Sequence, residues 1–203
     1  MSFESYRVYR EQASEHRANG AFAQAGHYYT AAAHEALGHA NYASESLDHG
    51  QVNTARGLRS MLAAALCYRL AETIKRCRMR CSQGILLAEE IRDYTAAYEP
   101  QQGIMWEYIG DFRVIADRQD WTDAYDMAAS YYEGCDNVIG WIAEPEFEIN
   151  MSFMLTVSDA VEHGIDQQTK SEITARSLER RIEYKRKHFQ EIISQVVSQE
   201  EWA

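Results

Sequence analysis

The chain has 203 residues, of which 46% are hydrophobic and 25% are charged, as in ordinary globular proteins. Its net charge of −11 argues against nucleic-acid binding, which depends largely on basic side chains that contact phosphates. No apolar run approaches the roughly 18–20 residues of a membrane-spanning helix, and the first residues lack the basic and apolar regions of a signal peptide. The four cysteines form no CxxC pair. We therefore expect a reduced, cytoplasmic protein.

The charge is distributed unevenly along the chain. Residues 1–88 carry a net charge of +3, residues 89–166 carry −15 and residues 167–203 carry +1. Arginine outnumbers lysine by 16 to 4. A lysine-poor, carboxylate-rich surface resembles proteins from halophiles, which keep molar salt in the cytoplasm, because salt screens the self-repulsion of such a surface. An ordinary acidic cytosolic protein is the alternative explanation.

The composition predicts an all-α protein, because alanine and unbranched side chains are plentiful and alternating β-branched runs are missing. The first predicted helix covers residues 3–18, with Ser2 as its N-cap. Tyr9 and Ala13 lie four residues apart and therefore share one face of it. Gly20 ends the helix, since glycine accepts the left-handed conformation that a helix C-terminus needs.

A second helix, from about Ala21, carries an aromatic and several small residues in register on one stripe. Together the two helices resemble a tetratricopeptide (TPR) repeat, in which small and aromatic residues of helices A and B pack closely. The matching positions are Tyr9 and Ala13 on helix A, and Gly20, Phe22, Ala25, Tyr29 and Ala32 in the turn and on helix B. The sequence departs from the family at Gln12 and His16, and the family's closing proline is absent.

Two later segments resemble the same unit less closely. Residues 101–134 repeat it with Trp106, Ile109 and Gly110, a turn near Arg118–Asp120, and then Trp121, Ala124 and Ala128. Between the two units, Ala64, Tyr68 and Ala71 repeat the helix B spacing, after a helix A in residues 44–56 that reads partly as a loop.

Residues 78–98 form a further predicted helix that ends before Pro100, which restricts Glu99 to extended conformations. The resemblance covers about residues 5–135. It is closest to divergent TPR-like proteins, or to the longer helices of soluble NSF attachment proteins.

The pattern changes after Gly134. Residues 137–149 join the repeats to a seventh helix, which ends near Gly164, and the chain is strongly helical from Asp166 onward. An apolar stripe runs along one face of this C-terminal region, and it either caps the repeat array or forms a dimer interface. The stripe consists of Ile173, Leu178, Ile182, Phe189, Ile192, Ile193 and Val196.

The resemblance implies a right-handed array of antiparallel helix pairs. We expect about seven or eight helices, with a TPR-like repeat region at residues 1–136. Residues 137–203 would pack on or cap this array within a single compact domain, and they include the long C-terminal helix.

The sequence contains no recognisable catalytic or cofactor signature. Five of the seven histidines lie between His16 and His49, but no ExxH or HxxxH spacing occurs, so we predict no metal site. GxGxxG, P-loop and GxSxG motifs are also missing. The chain is therefore predicted to be a non-enzyme without a cofactor.

The TPR resemblance implies a groove lined by helix A residues that point away from the packed face. Arginines at one end of this groove would grip carboxylates by forked hydrogen bonds, and carboxylates would line the other end. We therefore predict a non-catalytic scaffold that binds a protein or peptide, although the same side chains could simply solubilise the surface. The predicted partner-binding residues are Arg7, Arg10, Ser14 and Arg17 on the first unit, and Glu107 and Asp111 on the later unit.

The alternative function is a regulator that responds to a small ligand or to nucleic acid. It would use the basic cluster Lys75–Arg80 or the tyrosine- and histidine-rich region His27–His34. A second basic cluster spans Arg180–Lys187. Both clusters have a simpler explanation, in which they complement a helix dipole or contact the acidic middle of the chain.

Overall fold

The computed structural model describes residues 4–40, 47–135, 144–161, 165–174, 178–199 and residue 202. All regular structure within these ranges is helical, and none of the helices described is long and apolar enough to cross a membrane. The helices are α1 (Glu4–Ala18), α2 (Phe22–Gly38), α3 (Leu47–Leu70), α4 (Ile74–Tyr94), α5 (Glu99–Ile115), α6 (Trp121–Tyr132), α7 (Glu144–Ser158), α8 (Gln167–Thr174), α9 (Leu178–Tyr184), a π-helical segment (Lys185–Phe189) and α10 (Gln190–Gln199).

Helices α1 and α2 form the hairpin that the sequence predicts. Gly20 has a φ of +70°, and the amide of Ala21 donates to the carbonyl of His16 at 2.8 Å, so the turn closes the end of α1 as expected. The predicted packing residues Ala25 and Tyr29 are buried. The predicted N-cap Ser2 lies outside the described residues.

Helix α3 differs from the prediction. The sequence predicts a partial loop over residues 44–56, but α3 runs without interruption from Leu47 to Leu70; residues 44–46 lie outside the described residues. From its middle onward it carries Leu58, Leu62 and Leu66, which are fully buried, and this burial outweighs the weak helix propensity of the polar residues near its start. Residues 47–56 therefore belong to the same helix as Ala64 and Tyr68 and do not form a separate helix A before them.

The start of α5 also differs from the prediction. Pro100 lies in the first turn of α5, where a proline is tolerated because its missing N–H would have no partner there. The extended residue is Tyr98, with φ −127° and ψ 147°, and Glu99 is already helical. The predicted helix over residues 78–98 runs instead from Ile74 to Tyr94.

Helix α5 lies at the centre of the molecule, in contact with α3, α4, α6, α7 and α10. Its contact with α4 is close because Gly84 faces the ring of Phe112, where an added Cβ would lie 2.1 Å from Cζ. Of residues 103–112 in its middle turns, all but the partly buried Trp106 are buried. Its polar residues must then find partners within the protein.

The C-terminal helices pack on this same core. The stripe residues Leu178, Ile182, Phe189, Ile192, Ile193 and Val196 are all buried and belong to the main hydrophobic core. The side chain of Ile173 lies outside the described part of the chain. These six residues therefore cover the chain's own helices, and this burial favours the capping alternative over a dimer interface.

Candidate functional site

Two groups of charged residues are candidates for a functional site. One is a buried ionic network around Glu107 and Asp111, and the other is a cleft lined by arginines on α1 and α3. Both contain residues that the sequence predicts to bind a partner. The network is sealed in the protein interior, whereas the cleft is open to solvent.

The buried ionic network begins on α5, where Glu107 and Asp111 lie one helical turn apart and are fully buried. Arg181 of α9 contacts Glu107 through Nη2 and Oε2 at 2.6 Å. Lys185 lies one turn further along, and its Nζ is 2.8 Å from Oε1 of Glu107 and 2.7 Å from Oδ2 of Asp111. The two acids and the two bases thus meet at matching four-residue spacings.

Three neutral side chains complete the network. The hydroxyl of Tyr132 donates to Glu107 at 2.7 Å, and that of Tyr125 donates to Asp111 at 2.8 Å. Asn150 of α7 donates to Asp111 at 3.0 Å and accepts from Lys185 at 2.8 Å. These bonds satisfy groups whose burial would otherwise be costly.

The surroundings shift the pKa values of the two carboxylates in opposite directions. Burial acts to raise the pKa of Glu107, but the charges of Arg181 and Lys185 outweigh it and lower this pKa below its ordinary value. The pKa of Asp111 is raised by burial and by the charge of Glu107, against the opposing effect of Lys185. Two ionised acids facing two bases carry no net charge, so the network is electrically balanced. All four side chains are fully buried, and the network is therefore closed to solvent.

The acidic end of the predicted groove is therefore filled by the protein's own C-terminal segment. Its release would expose Leu178, Ile182 and Phe189, and each such side chain gains about 1.5–3 kcal/mol from burial. Because of this free-energy cost, we expect the C-terminal segment to stay docked on α5. Glu107 and Asp111 are fully buried and paired within the protein, so they are not accessible to an external partner.

The second basic cluster of the sequence divides between the interior and the surface. Arg181 and Lys185 point into the network, whereas Arg180, Arg186 and Lys187 are exposed. Arg186 lies 2.6 Å from Asp126 of α6, so this part of the cluster does contact the acidic middle of the chain. The role of Arg181 and Lys185 was missed, although their spacing equals that of Glu107 and Asp111 and was visible in the sequence.

The arginine cleft is lined by residues of α1 and α3 and has a volume of about 360 Å³. Three of the predicted α1 residues, Arg7, Arg10 and Ser14, lie on it together. The cleft also includes Arg56 of α3, which the sequence prediction missed because α3 was not expected to be helical there. The residues that line the cleft are Tyr6, Arg7, Arg10, Glu11, Ser14 and Arg56.

The cleft is electropositive. The guanidinium carbons of Arg10 and Arg56 each lie 5.8 Å from the centroid of the Tyr6 ring. Burial lowers the pKa of Arg59 below its ordinary value, and repulsion from Arg10 lowers it further. The cleft's carboxylate, Glu11, lies 3.6 Å from Arg7 at the exposed rim. Cations therefore outnumber anions on this surface.

Arg17, the fourth predicted α1 residue, is separated from the cleft. Its guanidinium lies 4.7 Å from the ring centroid of Trp202, which is almost completely buried. The same indole contacts Tyr29 and Phe153 at centroid distances of 6.3 and 6.1 Å. Arg17 thus covers an aromatic cluster, so a substitution there would disturb packing as well as charge.

The first basic cluster lies at the N-terminus of α4. Lys75 and Arg76 fall in the first turn, which contains no acidic residue. Because the N-terminal end of a helix dipole is positive, it repels these cations. The dipole explanation is therefore wrong for this cluster. Arg76 contacts His27 of α2, which joins the cluster to the histidine-rich region.

The histidines do not assemble a metal site in the part of the chain that the structure describes. No group of three or more histidine, cysteine, aspartate or glutamate side chains there is placed to hold a metal ion. His16 stacks on Tyr28 at a centroid distance of 5.2 Å, and His39 lies 3.3 Å from Glu35. These contacts account for both imidazoles as ordinary surface groups.

Comparisons with protein-family models, curated proteins and solved structures found no match for this chain.

Proposed function

We propose that the protein is a non-catalytic helical scaffold of TPR-like architecture that binds an acidic segment of a protein partner in the arginine cleft. The successive pairs α1–α2, α3–α4 and α5–α6, each packed on the next, support the repeat architecture. In this arrangement the C-terminal region packs along the array, with α7 on α3 and α9 on α6. The arginine cleft on α1 and α3 remains open to a partner.

The observation that carries the proposal is the convergence of Arg7, Arg10 and Arg56 on one open cleft. An arginine presents a planar fork that matches a carboxylate with two parallel hydrogen bonds. Arg10 has no carboxylate within ion-pair distance among the described residues, so its fork is available to a ligand. A protein with a net charge of −11 would otherwise repel acidic segments, and a local basic cleft therefore confers selectivity.

The proposal is tested by capturing partners from the native host at its native salt concentration. The double substitution Arg7→Glu with Arg10→Glu reverses the charge of the cleft and should abolish recovery of an acidic partner. Arg180→Glu is the matched control, because Arg180 is 65% exposed on α9. Helical content should be unchanged in both variants. Recovery of the same partner by the cleft variant would remove the proposal.

A second candidate function is binding of a polyanion such as nucleic acid at the start of α4. The supporting observation is the placement of Lys75 and Arg76 at the positive end of the helix dipole, which costs stability that a bound phosphate would restore. Binding of a labelled oligonucleotide should weaken with Lys75→Gln and Arg76→Gln and with rising salt. Equal binding by this variant would reject the candidate.

A further inference from the structure

We propose that the outer face of α4 is an interface between two copies of this chain, and that the two α4 helices pair antiparallel across it. All the residues of this face are exposed, and their spacing places them on one side of the helix. The α4 face consists of Lys75, Met79, Ser82, Gln83, Leu86 and Glu90. The inference is independent of the arginine cleft, which lies on α1 and α3.

Large apolar side chains are exposed on α4 more than on any other helix in the described part of the chain. Of the seven that are exposed there, four lie on α4: Ile74, Met79, Leu86 and Tyr94. Met79 is 47% exposed and Leu86 is 65% exposed, and their separation of seven residues places both on the α4 face. The opposite side of α4 packs on α3 and α5. Apolar residues grouped on one exposed face are typical of an interaction surface.

The charges of α4 identify a second copy of this chain as the partner. Residues 74–80 contain four bases and no acid, whereas residues 88–94 contain three acids and one base. Two antiparallel α4 helices bring the basic end of each against the acidic end of the other, whereas parallel helices would bring like charges together. Lys75 and Glu90 lie at the two ends of the α4 face, and neither has an ion-pair partner among the described residues. The face is therefore complementary to itself in one direction only.

The spacing of the residues on the α4 face determines the register. Successive residues are separated by four, three, one, three and four positions, and this order is the same in both directions. A two-fold interface requires such symmetry, because each copy contributes the same patch. An antiparallel pair in this register places Lys75 opposite Glu90 of the second copy. It also places Met79 opposite the second copy's Leu86, so the apolar contacts lie between the two ion pairs.

The size of the α4 face indicates a weak and reversible dimer. Helix α4 has 21 residues, which corresponds to a length of about 30 Å. One pair of such helices buries less than the roughly 1,600 Å² of a standard protein interface. We therefore expect the monomer and the dimer to exchange at micromolar protein concentrations.

The test is sedimentation equilibrium of the full chain at several protein concentrations and at low ionic strength, where ion pairs are least screened. The average mass should rise from 23.3 kDa toward twice this value as the concentration increases. Leu86→Glu should weaken association by about tenfold or more, because it places a carboxylate among the apolar contacts. Met127→Glu is the matched control and should associate like the wild type, because Met127 is 40% exposed on α6, outside the α4 face.

A mixing experiment tests the antiparallel register. Lys75→Glu and Glu90→Lys should each associate about tenfold more weakly than the wild type, because each substitution places like charges opposite each other. An equimolar mixture of the two variants should form dimers again, since opposite charges then meet at both ends of the mixed pair. Circular dichroism checks that each variant folds, as expected for substitutions of exposed side chains.

Three results would overturn the proposal. A wild type that stays monomeric at every concentration would show that the α4 face does not join two copies. A dimer that persists in Leu86→Glu would place the contact on another face of the protein. A mixture of Lys75→Glu and Glu90→Lys that associates no better than its components would contradict the antiparallel register.

Discussion

Replacing Lys185 by methionine tests the buried ionic network most severely. In the wild type, Lys185 contacts both Glu107 and Asp111 at less than 3 Å. Its removal leaves two buried carboxylates facing Arg181 alone, and Asp111 loses its closest cation. Breaking a buried ion pair by deleting one partner typically costs about 3–5 kcal/mol of unfolding free energy. Because a whole domain is stable by only about 5–15 kcal/mol, this loss should be large and easily measured.

Lys187→Met is the matched control, since it makes the same chemical change two residues away. Lys187 is 60% exposed and pairs with Glu183 on the surface. Exposed pairs contribute about 0–1 kcal/mol, so this control should be close to neutral. Molar salt should also change the cost of Lys185→Met little, because buried charges are poorly screened.

The assay is urea unfolding monitored by circular dichroism. The slope of the unfolding free energy against urea concentration is compared between variants. Adding Asp111→Asn to Lys185→Met should recover part of the lost free energy, because it removes the orphaned carboxylate. The double-mutant cycle then gives the coupling between the two residues. A loss below about 1 kcal/mol for Lys185→Met, or no recovery on adding Asp111→Asn, would refute the network as described.

Three further predictions concern packing and the cysteines. Gly84→Ala should destabilise the protein by about 1–3 kcal/mol in urea unfolding, because the new Cβ would lie 2.1 Å from Phe112. Gly38→Ala is the control and should not destabilise the protein, because the space around Gly38 is open. Trp202→Ala should cost about 3 kcal/mol in the same assay, and an unchanged midpoint would show that the indole is not docked. Cys67, whose pKa is raised by burial, should react with a thiol reagent only after unfolding, and rapid labelling of the native protein at this residue would contradict its burial.

Local chemistry was sufficient to predict α1, α2 and the turn between them. Gly20 marks the turn through its backbone conformation, and the spacing of Ala25 and Tyr29 marks the packed face. These features depend on neighbours only a few residues away. Helix α3 could not be predicted in the same way, because its polar first half is helical in spite of its weak local propensity.

The positions of Glu107 and Asp111 could not be predicted from local patterns. A carboxylate on a helix normally faces solvent, and its burial here depends on Arg181 and Lys185, each 74 residues later in the chain. The matching four-residue spacing of the two pairs was a usable signal. It becomes meaningful only once α9 is known to pack beside α5.

Hydrogen exchange of the full chain, with and without an acidic peptide such as hexa-aspartate, distinguishes the open cleft from the buried network. If the arginine cleft of α1 and α3 binds the peptide and the carboxylates of α5 are sealed beneath α9, adding the peptide should slow exchange in α1 and α3. Helices α5 and α9 should be equally protected in both samples. Altered protection in α5 and α9 without any change in α1 and α3 would contradict this prediction.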